Sequence, residues 1–384
     1  MLLPYIWVFL VSAGAVAVST PLVRWFARRV GAIDWPSDRK VHPKPTPTLG
    51  GLAIVIGVLA GLGAAYLLHA LRPLYRQGLE LQGTLIAVVV IAAVGALDDL
   101  RSLSAPAKVA GQVLAAGLLI FFGVELLLFW FPFGQGIISL GSDLAVPLTV
   151  LWVLVMVNGI NLMDGLDGLA AGIVVIAATA FFVWVYVQPP VLAGPVSAAA
   201  VLSAVAAGAA LGFLPYNFHP ARIFMGDTGS MPLGVVLAAA TISGVGQTLQ
   251  PSGGDLAAFA IPVAIPAIVL AVPLADIVLA IVRRLRNHRP VFAPDKEHIH
   301  YQLREIGHTH RQAVLIMYLW SVLLASAALA VAFINGRLVV GSVVGGALLL
   351  IAATLLPRRI RESRRRRREG DIPAAPPEAH STSV

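Results

Sequence analysis

The stretch Leu169-Ala-Ala-Gly-Ile-Val-Val-Ile-Ala-Ala-Thr-Ala-Phe-Phe-Val-Trp-Val-Tyr-Val187 contains no charged residue and is long enough to cross a membrane as one helix. Similar apolar runs of about 20 residues recur along the chain. Hydrophobic residues make up 58% of the 384 residues and charged residues only 12%, whereas soluble domains carry about 25%. Because lipid-exposed backbone must satisfy its own hydrogen bonds, these runs predict an all-α, polytopic membrane helix bundle.

The apolar runs predict about eleven transmembrane helices. They are placed at 3–23, 49–69, 81–98, 106–128, 145–161, 168–187, 194–214, 230–248, 257–283, 313–334 and 337–356. The first run lacks the basic start of a signal peptide, so it is expected to remain as a helix. Residues 1–356 are predicted to form a single transmembrane domain, and 357–384 a basic and then disordered cytoplasmic tail. The absence of cysteine excludes disulfides and thiolate metal sites.

Basic residues are concentrated on one side of the predicted spans. All but three of the 27 lysines and arginines fall on that side, the exceptions being Arg72, Arg76 and Arg337. The positive-inside rule makes that side cytoplasmic, and an odd number of spans places the N-terminus outside and the C-terminus inside. This topology explains the net charge of +8, so no nucleic-acid partner is expected. The run Arg364–Arg368 is expected to contact anionic lipids.

Acidic residues gather at the cytoplasmic ends of the predicted spans. The three groups are Asp98 with Asp99, Asp164 with Asp167, and Asp227. Carboxylates beside spans are costly, so each group indicates a functional site. Neighbouring carboxylates can hold Mg²⁺ or accept a proton. In Asn161-Leu-Met-Asp164-Gly-Leu-Asp167-Gly168, the two carboxylates would share one face if the segment is helical.

The segment Phe224-Met-Gly-Asp227-Thr-Gly-Ser230 is predicted to open a span. Asp, Thr and Ser are favourable helix N-caps, and a helix N-terminus favours phosphate. Each acidic group alone has a simpler interpretation: a helix end, a polar turn or a capped helix start. Their gathering on one membrane face favours the functional interpretation.

Two cytoplasmic loops add basic and histidine side chains. The loop Arg39-Lys-Val-His42-Pro-Lys44-Pro-Thr-Pro47-Thr-Leu-Gly-Gly51 is cationic and stiffened by proline, so it can hold phosphate groups. An ordinary positive-inside loop explains its charges but not its prolines and paired glycines. The second loop reads Arg289-Pro-Val-Phe-Ala-Pro294-Asp-Lys-Glu-His298-Ile-His300. Its histidines lack convincing partners for a zinc site, which favours polar contacts with a substrate.

Together these motifs resemble the polyprenyl-phosphate N-acetylhexosamine-1-phosphate transferase family, glycosyltransferase family 4. The motifs follow the family's order: Arg39-Lys40-x-His42; Pro47-Thr-Leu-Gly-Gly51; Asp98-Asp99; Asn161-x-x-Asp164-Gly-x-Asp167-Gly-Leu169; Asn217-Phe-x-Pro-Ala-x-Ile-Phe-Met-Gly-Asp227-Thr-Gly-Ser230; and Pro294-Asp-x-x-His298-Ile-His300. The resemblance covers most of the chain, from about Asp34 to Arg311. Six motifs in order are far more specific than any one of them.

The resemblance implies that residues 1–356 form the catalytic domain of an enzyme in the bacterial plasma membrane, with its active site on the cytoplasmic face. It would transfer N-acetylglucosamine-1-phosphate, or a close relative, from a UDP-N-acetylhexosamine to polyprenyl (undecaprenyl) phosphate. UMP would be released, and the product would start synthesis of a cell-envelope glycan. The implied cofactor is Mg²⁺, with Mn²⁺ as an alternative at an oxygen-only site. A homodimer is also suggested by the resemblance.

Residue roles follow from the same resemblance. The implied catalytic residues are Asp98, Asp99, Asp164 and Asp167. The implied metal ligands are Asp227 and Asp164. The implied nucleotide contacts are Asn161, Asn217 and Phe218. The implied contacts with phosphate groups are Lys44, Lys108 and His42. The implied sugar contacts are His298, His300 and Arg289.

One position departs from the family's pattern. Tyr301 stands where a further histidine often follows His-x-His, and Tyr carries no positive charge at neutral pH. This affects the choice of sugar rather than the phosphotransfer. The lack of consecutive histidines favours UDP-GlcNAc over the alternative donor, UDP-MurNAc-pentapeptide. Outside this class, an ion-coupled transporter remains an alternative because intramembrane acids often mark ion paths.

Overall fold

The computed structural model describes residues 2–35, 44–131, 136–139, 141–187, 196–245, 282–286, 303, 306–333, 344–351 and 354. The helices bounded within these residues are α1 (Leu3–Arg29), α2 (Gly51–Leu67), α3 (Leu74–Gln77), α4 (Glu80–Arg101), α5 (Ala105–Phe121), α6 (Ser142–Met163), α7 (Leu169–Val187), α8 (Ala198–Asn217), α9 (Asp227–Val245) and α10 (His310–Phe333). Residues 282–286 and 344–351 are also helical.

Two short antiparallel ladders accompany the helices. Strand β1 (Ile33–Asp34) pairs with β2 (Thr46–Pro47), so that Ile33 lies opposite Pro47. Strand β3 (Leu128–Phe131) pairs with β4 (Gly136–Ser139), so that Leu128 lies opposite Ser139. The first ladder brings the segment before α2 back against the end of α1.

The structure confirms a polytopic membrane helix bundle. Six described helices are long and apolar enough to cross a membrane: α1, α4, α6, α7, α8 and α10. Helices α2 and α5 are apolar but shorter. The total of about eleven spans and the orientation of the termini stay predictions. Most of the predicted span at 257–283 and the tail at 357–384 lie outside the described residues.

Two expectations about secondary structure were wrong in detail. The helix predicted over 106–128 ends at Phe121, and β3 begins at Leu128. The chain is therefore not purely helical. The apolar run Leu126–Phe131 follows the preceding one after only Gly123, Val124 and Glu125. Hydropathy does not distinguish an apolar strand from the end of an apolar helix.

The centre of the bundle is formed by α8 and α9. All residues from Ala199 to Ala210 and from Thr228 to Ile242 are buried. Helix α9 packs against α2, α4, α6 and α8, and α8 also packs against α1 and α7. Small residues permit this packing, because they let helix backbones approach closely without a side chain between them. A Cβ at Gly208 of α8 would lie 2.4 Å from the carbonyl oxygen of Phe9 in α1.

We expect Gly208→Ala to lower the thermal stability of the protein in detergent, because the added methyl group meets backbone that cannot move aside easily. Overpacking of this kind costs about 1–3 kcal/mol. The matched control is Gly63→Ala in α2, where an added Cβ meets nothing within 4 Å. Unfolding temperatures of both variants and the wild type, measured in one detergent, provide the test. Equal stability of the two variants would contradict this packing.

Candidate active site

The candidate active site lies where several helix ends meet at one end of the bundle. It includes the C-terminal ends of α4, α6 and α8 and the N-terminal ends of α5 and α9. The predicted acidic groups all belong to these helix ends or to the loops beside them. The structure therefore brings together residues that are more than a hundred positions apart in sequence.

The turn before α9 sets the position of Asp227. Gly226 adopts a φ of +66°, which side chains rarely tolerate, and a Cβ there would lie 2.4 Å from the Asp99 carboxylate. The backbone N–H of Asp227 donates to Asp99 Oδ1 over 2.9 Å, and that of Thr228 donates to Asp99 Oδ2 over 3.1 Å. Asp99 thus satisfies two of the free N–H groups at the start of a buried helix.

A second segment supports the same turn from the other side. Phe224 N–H donates to the Pro47 carbonyl, and the N–H groups of Gly50 and Gly51 donate to the carbonyls of Phe224 and Met225, each over 2.9 Å. A Cβ at Gly51 would lie 2.0 Å from Gly229 N. The paired glycines therefore let α2 begin directly against α9. In the described structure this motif acts as a support for the Asp227 turn.

A lysine joins two of the acidic groups. Lys108 Nζ lies 2.6 Å from Asp98 Oδ2 and 2.7 Å from Asp227 Oδ2. The other oxygen of Asp227 accepts a hydrogen bond of 2.6 Å from Asn161 Nδ2. Asn161 Nδ2 also lies 3.0 Å from Ser230 Oγ. Both oxygens of Asp227 therefore have partners, and the single charge of Lys108 is shared by two carboxylates.

An amide pair aligns the helices that carry these partners. Gln112 lies one turn after Lys108 in α5, and Asn158 lies one turn before Asn161 in α6. Asn158 Nδ2 donates to Gln112 Oε1 over 2.8 Å, and Gln112 Nε2 donates to Asn158 Oδ1 over 3.3 Å. Because these groups lie within the bundle, the pair holds the two helices in register and thereby positions Lys108 and Asn161.

Three of the carboxylates form a candidate cation site. Asp98, Asp99 and Asp227 each offer an oxygen, and these three atoms lie within 4.8 Å of one another. A donor set made only of carboxylate oxygens suits hard cations such as Mg²⁺. Asp164, the other predicted metal ligand, lies beside this group and accepts a hydrogen bond of 3.2 Å from Gly226 N–H. It does not belong to the described three-carboxylate cluster.

The pKa of Asp164 depends on its burial and on the charge of this cluster. Burial raises the pKa of its carboxyl group well above the usual value, and the negative charges of Asp227 and Asp99 raise the pKa further. The hydrogen bond from Gly226 lowers it but does not offset these effects. A cation placed among the carboxylates would reduce this repulsion and favour ionised Asp164.

Asp164 and Asp167 do not share a helix face, contrary to the helical interpretation of their spacing. Helix α6 ends at Met163, and both carboxylates lie in the turn that leads to α7. Asp164 is directed to Gly226, whereas Asp167 Oδ2 lies 2.7 Å from His219 Nδ1 and accepts from Ala221 N–H over 3.1 Å. The glycines in this motif allow the turn, and the turn separates the two carboxylates.

The predicted nucleotide residues at the end of α8 lie against this turn. Asn217 is buried; its Oδ1 accepts from Gly168 N–H over 3.0 Å, and its Nδ2 donates to the Ile223 carbonyl over 3.1 Å. Phe218 packs against Gly168 and is partly exposed. Asn217 thus joins the loop before α7 to the loop before α9. Direct contact of Asn161, Asn217 or Phe218 with a nucleotide stays a prediction.

Several predicted residues are not part of the described cluster. Lys44 is exposed and lies two residues before β2. His42, Arg289, His298, His300 and Tyr301 lie outside the described residues. Their predicted contacts with phosphate and sugar therefore stay predictions.

Sequence reasoning missed some residues that the structure places at the site. These are His219, Thr228, Ser230, His310, Arg311 and Tyr318. His219, Thr228 and Ser230 lie inside motifs that had been recognised, and their proximity to predicted site residues was an available signal. The last three lie in the first half of α10, where a single sequence shows no pattern linking them to the acidic motifs.

Comparisons with known proteins bear on the family of the chain. Residues 81–245, from α4 to α9, match the profile of glycosyl transferase family 4. The chain is 40% identical over 344 residues to decaprenyl-phosphate N-acetylglucosaminephosphotransferase of Mycobacterium tuberculosis (strain H37Rv), covering 85% of this chain and 83% of the relative. It is 40% identical over 311 residues to the probable undecaprenyl-phosphate N-acetylglucosaminyl 1-phosphate transferase of Bacillus subtilis (strain 168), covering 81% and 80%.

A third relative represents the alternative donor considered above. Phospho-N-acetylmuramoyl-pentapeptide-transferase of Desulforudis audaxviator is 33% identical over 350 residues, covering 85% of this chain and 96% of the relative. Similarity of this extent, over at least 80% of each of these relatives, shows common descent. The chain therefore belongs to glycosyl transferase family 4, the family that its ordered motifs resemble.

Proposed function

We propose that the protein transfers N-acetylglucosamine-1-phosphate from UDP-GlcNAc to a polyprenyl phosphate. An oxygen of the lipid phosphate forms a bond to the β-phosphorus of the donor. The bond between that phosphorus and the oxygen bridging to the α-phosphate breaks, and its electron pair leaves with UMP. The observation that carries the proposal is the joining of Asp98, Asp99, Asp227 and Lys108 at one end of a membrane bundle.

Electrostatic repulsion is the main obstacle to this reaction, because the lipid phosphate and the diphosphate are both anions. A Mg²⁺ ion held by Asp227 with Asp98 or Asp99 would offset charge on the diphosphate and on the departing UMP. Lys108 supplies a further positive charge at the same place. The dipole of α9 also favours negative charge near its N-terminus, although Asp99 already accepts from its first two N–H groups.

The two adjacent aspartates have different surroundings, which supports different roles. Asp99 accepts backbone hydrogen bonds through both of its oxygens, so it holds the Asp227 turn. Asp98 accepts from Leu103 N–H over 2.7 Å and pairs with Lys108. A phosphate monoester has a second pKa of about 6 and is mostly ionised at neutral pH. Deprotonation by Asp98 is therefore not required, and its proposed role is to position the lipid phosphate.

The relatives support the choice of donor. Two relatives named for N-acetylglucosamine transfer are 40% identical to this chain, whereas the relative named for muramoyl-pentapeptide transfer is 33% identical. A transporter would be expected to place its acids near the bilayer midplane. Here the described acids lie at helix ends, which suits a reaction between a soluble donor and a lipid head group.

The protein is a multi-pass membrane protein, and finer features of its setting belong to the proposal. We place the active site on the cytoplasmic face of a bacterial plasma membrane, since the basic loops predict that side. Contact of the tail run Arg364–Arg368 with anionic lipids and a homodimeric state stay predictions.

The central prediction is release of UMP by the purified protein with Mg²⁺, undecaprenyl phosphate and UDP-GlcNAc. Release is expected to require all three components and to be lost in Asp227→Asn, because this variant removes a charge from the proposed cation site. The test is chromatographic measurement of UMP with each component omitted in turn. Release with UDP-MurNAc-pentapeptide but not with UDP-GlcNAc would change the assigned donor. No release with any donor would overturn the enzyme assignment.

Asp98 and Asp99 are expected to respond differently to substitution. Asp99→Asn places an amide group against the N–H donors of α9, so both turnover and unfolding temperature should fall. Asp98→Asn should lower turnover with a smaller effect on stability, since it leaves the α9 turn intact. Both properties are measured on the same preparations. Equal losses of stability in the two variants would contradict the separate roles.

Lys108 and a cation are expected to compete for Asp227, because Lys108 Nζ lies within 2.7 Å of Asp227 Oδ2. Lys108→Gln should therefore lower the Mg²⁺ concentration needed for half-maximal activity, while maximal turnover falls about tenfold. Arg76→Gln removes the same charge from exposed α3 and serves as the control. An unchanged Mg²⁺ requirement in Lys108→Gln would argue against competition.

A further inference from the structure

Helix α10 reaches into the site although it lies outside residues 81–245, which match the family profile. Its first residue, His310, stacks on His219 with ring centroids 4.1 Å apart and an angle of 17° between the planes. Arg311 Nε donates to the His219 carbonyl over 3.0 Å. Two turns further along, the hydroxyl group of Tyr318 donates to the Gly168 carbonyl. Helix α10 thus contacts the turn that carries the predicted catalytic residue Asp167 and the segment that carries the predicted nucleotide residue Phe218.

The contact of Tyr318 with the loop depends on a second glycine. Helix α7 has Gly172 one turn after Gly168, and a Cβ at Gly172 would lie 2.0 Å from Tyr318 Cζ. The aromatic ring therefore occupies the space that a side chain at this position would need. This close fit places the hydroxyl group at the Gly168 carbonyl.

The peptide groups of Gly168 are held from two directions. Its N–H donates to buried Asn217 at the end of α8, and its carbonyl accepts from Tyr318 in α10. Gly168 has a φ of +83°, a conformation that glycine tolerates, and its carbonyl also accepts the first helical hydrogen bond of α7, from Gly172 N–H over 3.0 Å. The preceding residue, Asp167, is attached to His219 and Ala221. The turn from Asp167 to Gly168 is therefore fixed jointly by α8 and α10.

The acidic cluster is held by other helices. Asp99 is fixed by the start of α9, and Asp98 and Asp227 are joined by Lys108 of α5. None of the described contacts of Arg311 or Tyr318 involves these three carboxylates. Substitutions in α10 should therefore displace the turn of Asp167 and Gly168 and the segment of Phe218 and His219 more than they displace the three carboxylates.

We propose that Tyr318 and Arg311 are positioning residues for the UDP-sugar. Their side chains donate to the Gly168 and His219 carbonyls and thereby fix the backbone next to Asp167 and Phe218. This inference rests on the proposed function, since a role in binding the donor requires that the protein uses a UDP-sugar. It adds α10, beside α8, as a support of the donor side, separate from the supports of the metal side.

The test is Tyr318→Phe, which keeps the ring against Gly172 and removes only the hydroxyl group. The KM for UDP-GlcNAc is expected to rise about fivefold, in line with the loss of one hydrogen bond. The KM for undecaprenyl phosphate and the half-saturating Mg²⁺ concentration should stay within about twofold of wild type. A purely structural role would lower stability without this selective change in donor KM.

Tyr75→Phe is the matched control. Tyr75 is also partly buried, and its hydroxyl group donates to the Leu62 carbonyl over 2.7 Å. This contact lies at the end of the bundle opposite to Asp98, Asp99 and Asp227. Its loss should affect thermal stability but neither KM. A second variant, Gly172→Ala, displaces the Tyr318 ring without changing Tyr318 itself and should also raise the donor KM.

The outcomes separate this inference from the proposed function. No UMP release by the wild type under any condition would overturn the proposed function. Normal release by the wild type with an unchanged donor KM in Tyr318→Phe and Gly172→Ala would overturn the positioning role alone. Equal increases of donor KM, acceptor KM and Mg²⁺ requirement would also overturn it, because they would show a general distortion of the site.

Discussion

The repulsion among the carboxylates at the start of α9 is the constraint on which the rest of the site depends. Two like charges 4 Å apart repel by about 4 kcal/mol at an effective dielectric constant of 20. Three such groups, with oxygens within 4.8 Å of one another, need compensating partners. Lys108 provides charge, Asn161 provides an amide donor, and the backbone of α9 provides N–H groups to Asp99. Lys108 supplies one positive charge for three carboxylates, so an ionised cluster keeps a net negative charge that would attract a cation.

Glycines at the helix contacts allow these partners to come together. Gly226 bends the chain where a side chain would meet Asp99, and Gly95 in α4 lets that helix approach Asp227 directly. The segment from Pro47 to Gly51 supports the same turn through backbone hydrogen bonds. The glycines of several motifs thus have a common physical reason: helix backbones must meet closely for the carboxylates to converge.

The site has two sides with different supports. The cation side depends on α4, α5, α6 and α9, whereas the turn of Asp167 and Gly168 depends on α8 and α10. The proposed mechanism requires a cation and the phosphate groups to keep one arrangement, whereas the relatives are named for the transfer of two different groups. Separate supports let the donor side change without disturbing the cation side. Tyr318 is of interest for this reason, since it supports one side only.

The sequence by itself determined the membrane bundle, the positions of most spans and the identity of the acidic residues. These features depend on local composition: apolar runs of sufficient length must form helices in lipid, and carboxylates beside them are costly. It also predicted that Asp98, Asp164 and Asp227 lie at the same end, because spans of similar length alternate direction. It did not distinguish the β3–β4 hairpin from a longer helix, since both begin in apolar sequence.

The tertiary structure alone decided which residues are partners. Lys108 bridges Asp98 and Asp227, although the latter is 119 positions away, and Tyr318 contacts Gly168 from 150 positions away. It also separated Asp164 from Asp167, because the glycines between and beside them form a turn where a helix was considered. Such pairings depend on which helices are neighbours and how closely they pack. Local hydropathy and spacing carry no information about either, so a single sequence identifies the candidates and the packing of the bundle selects the partners.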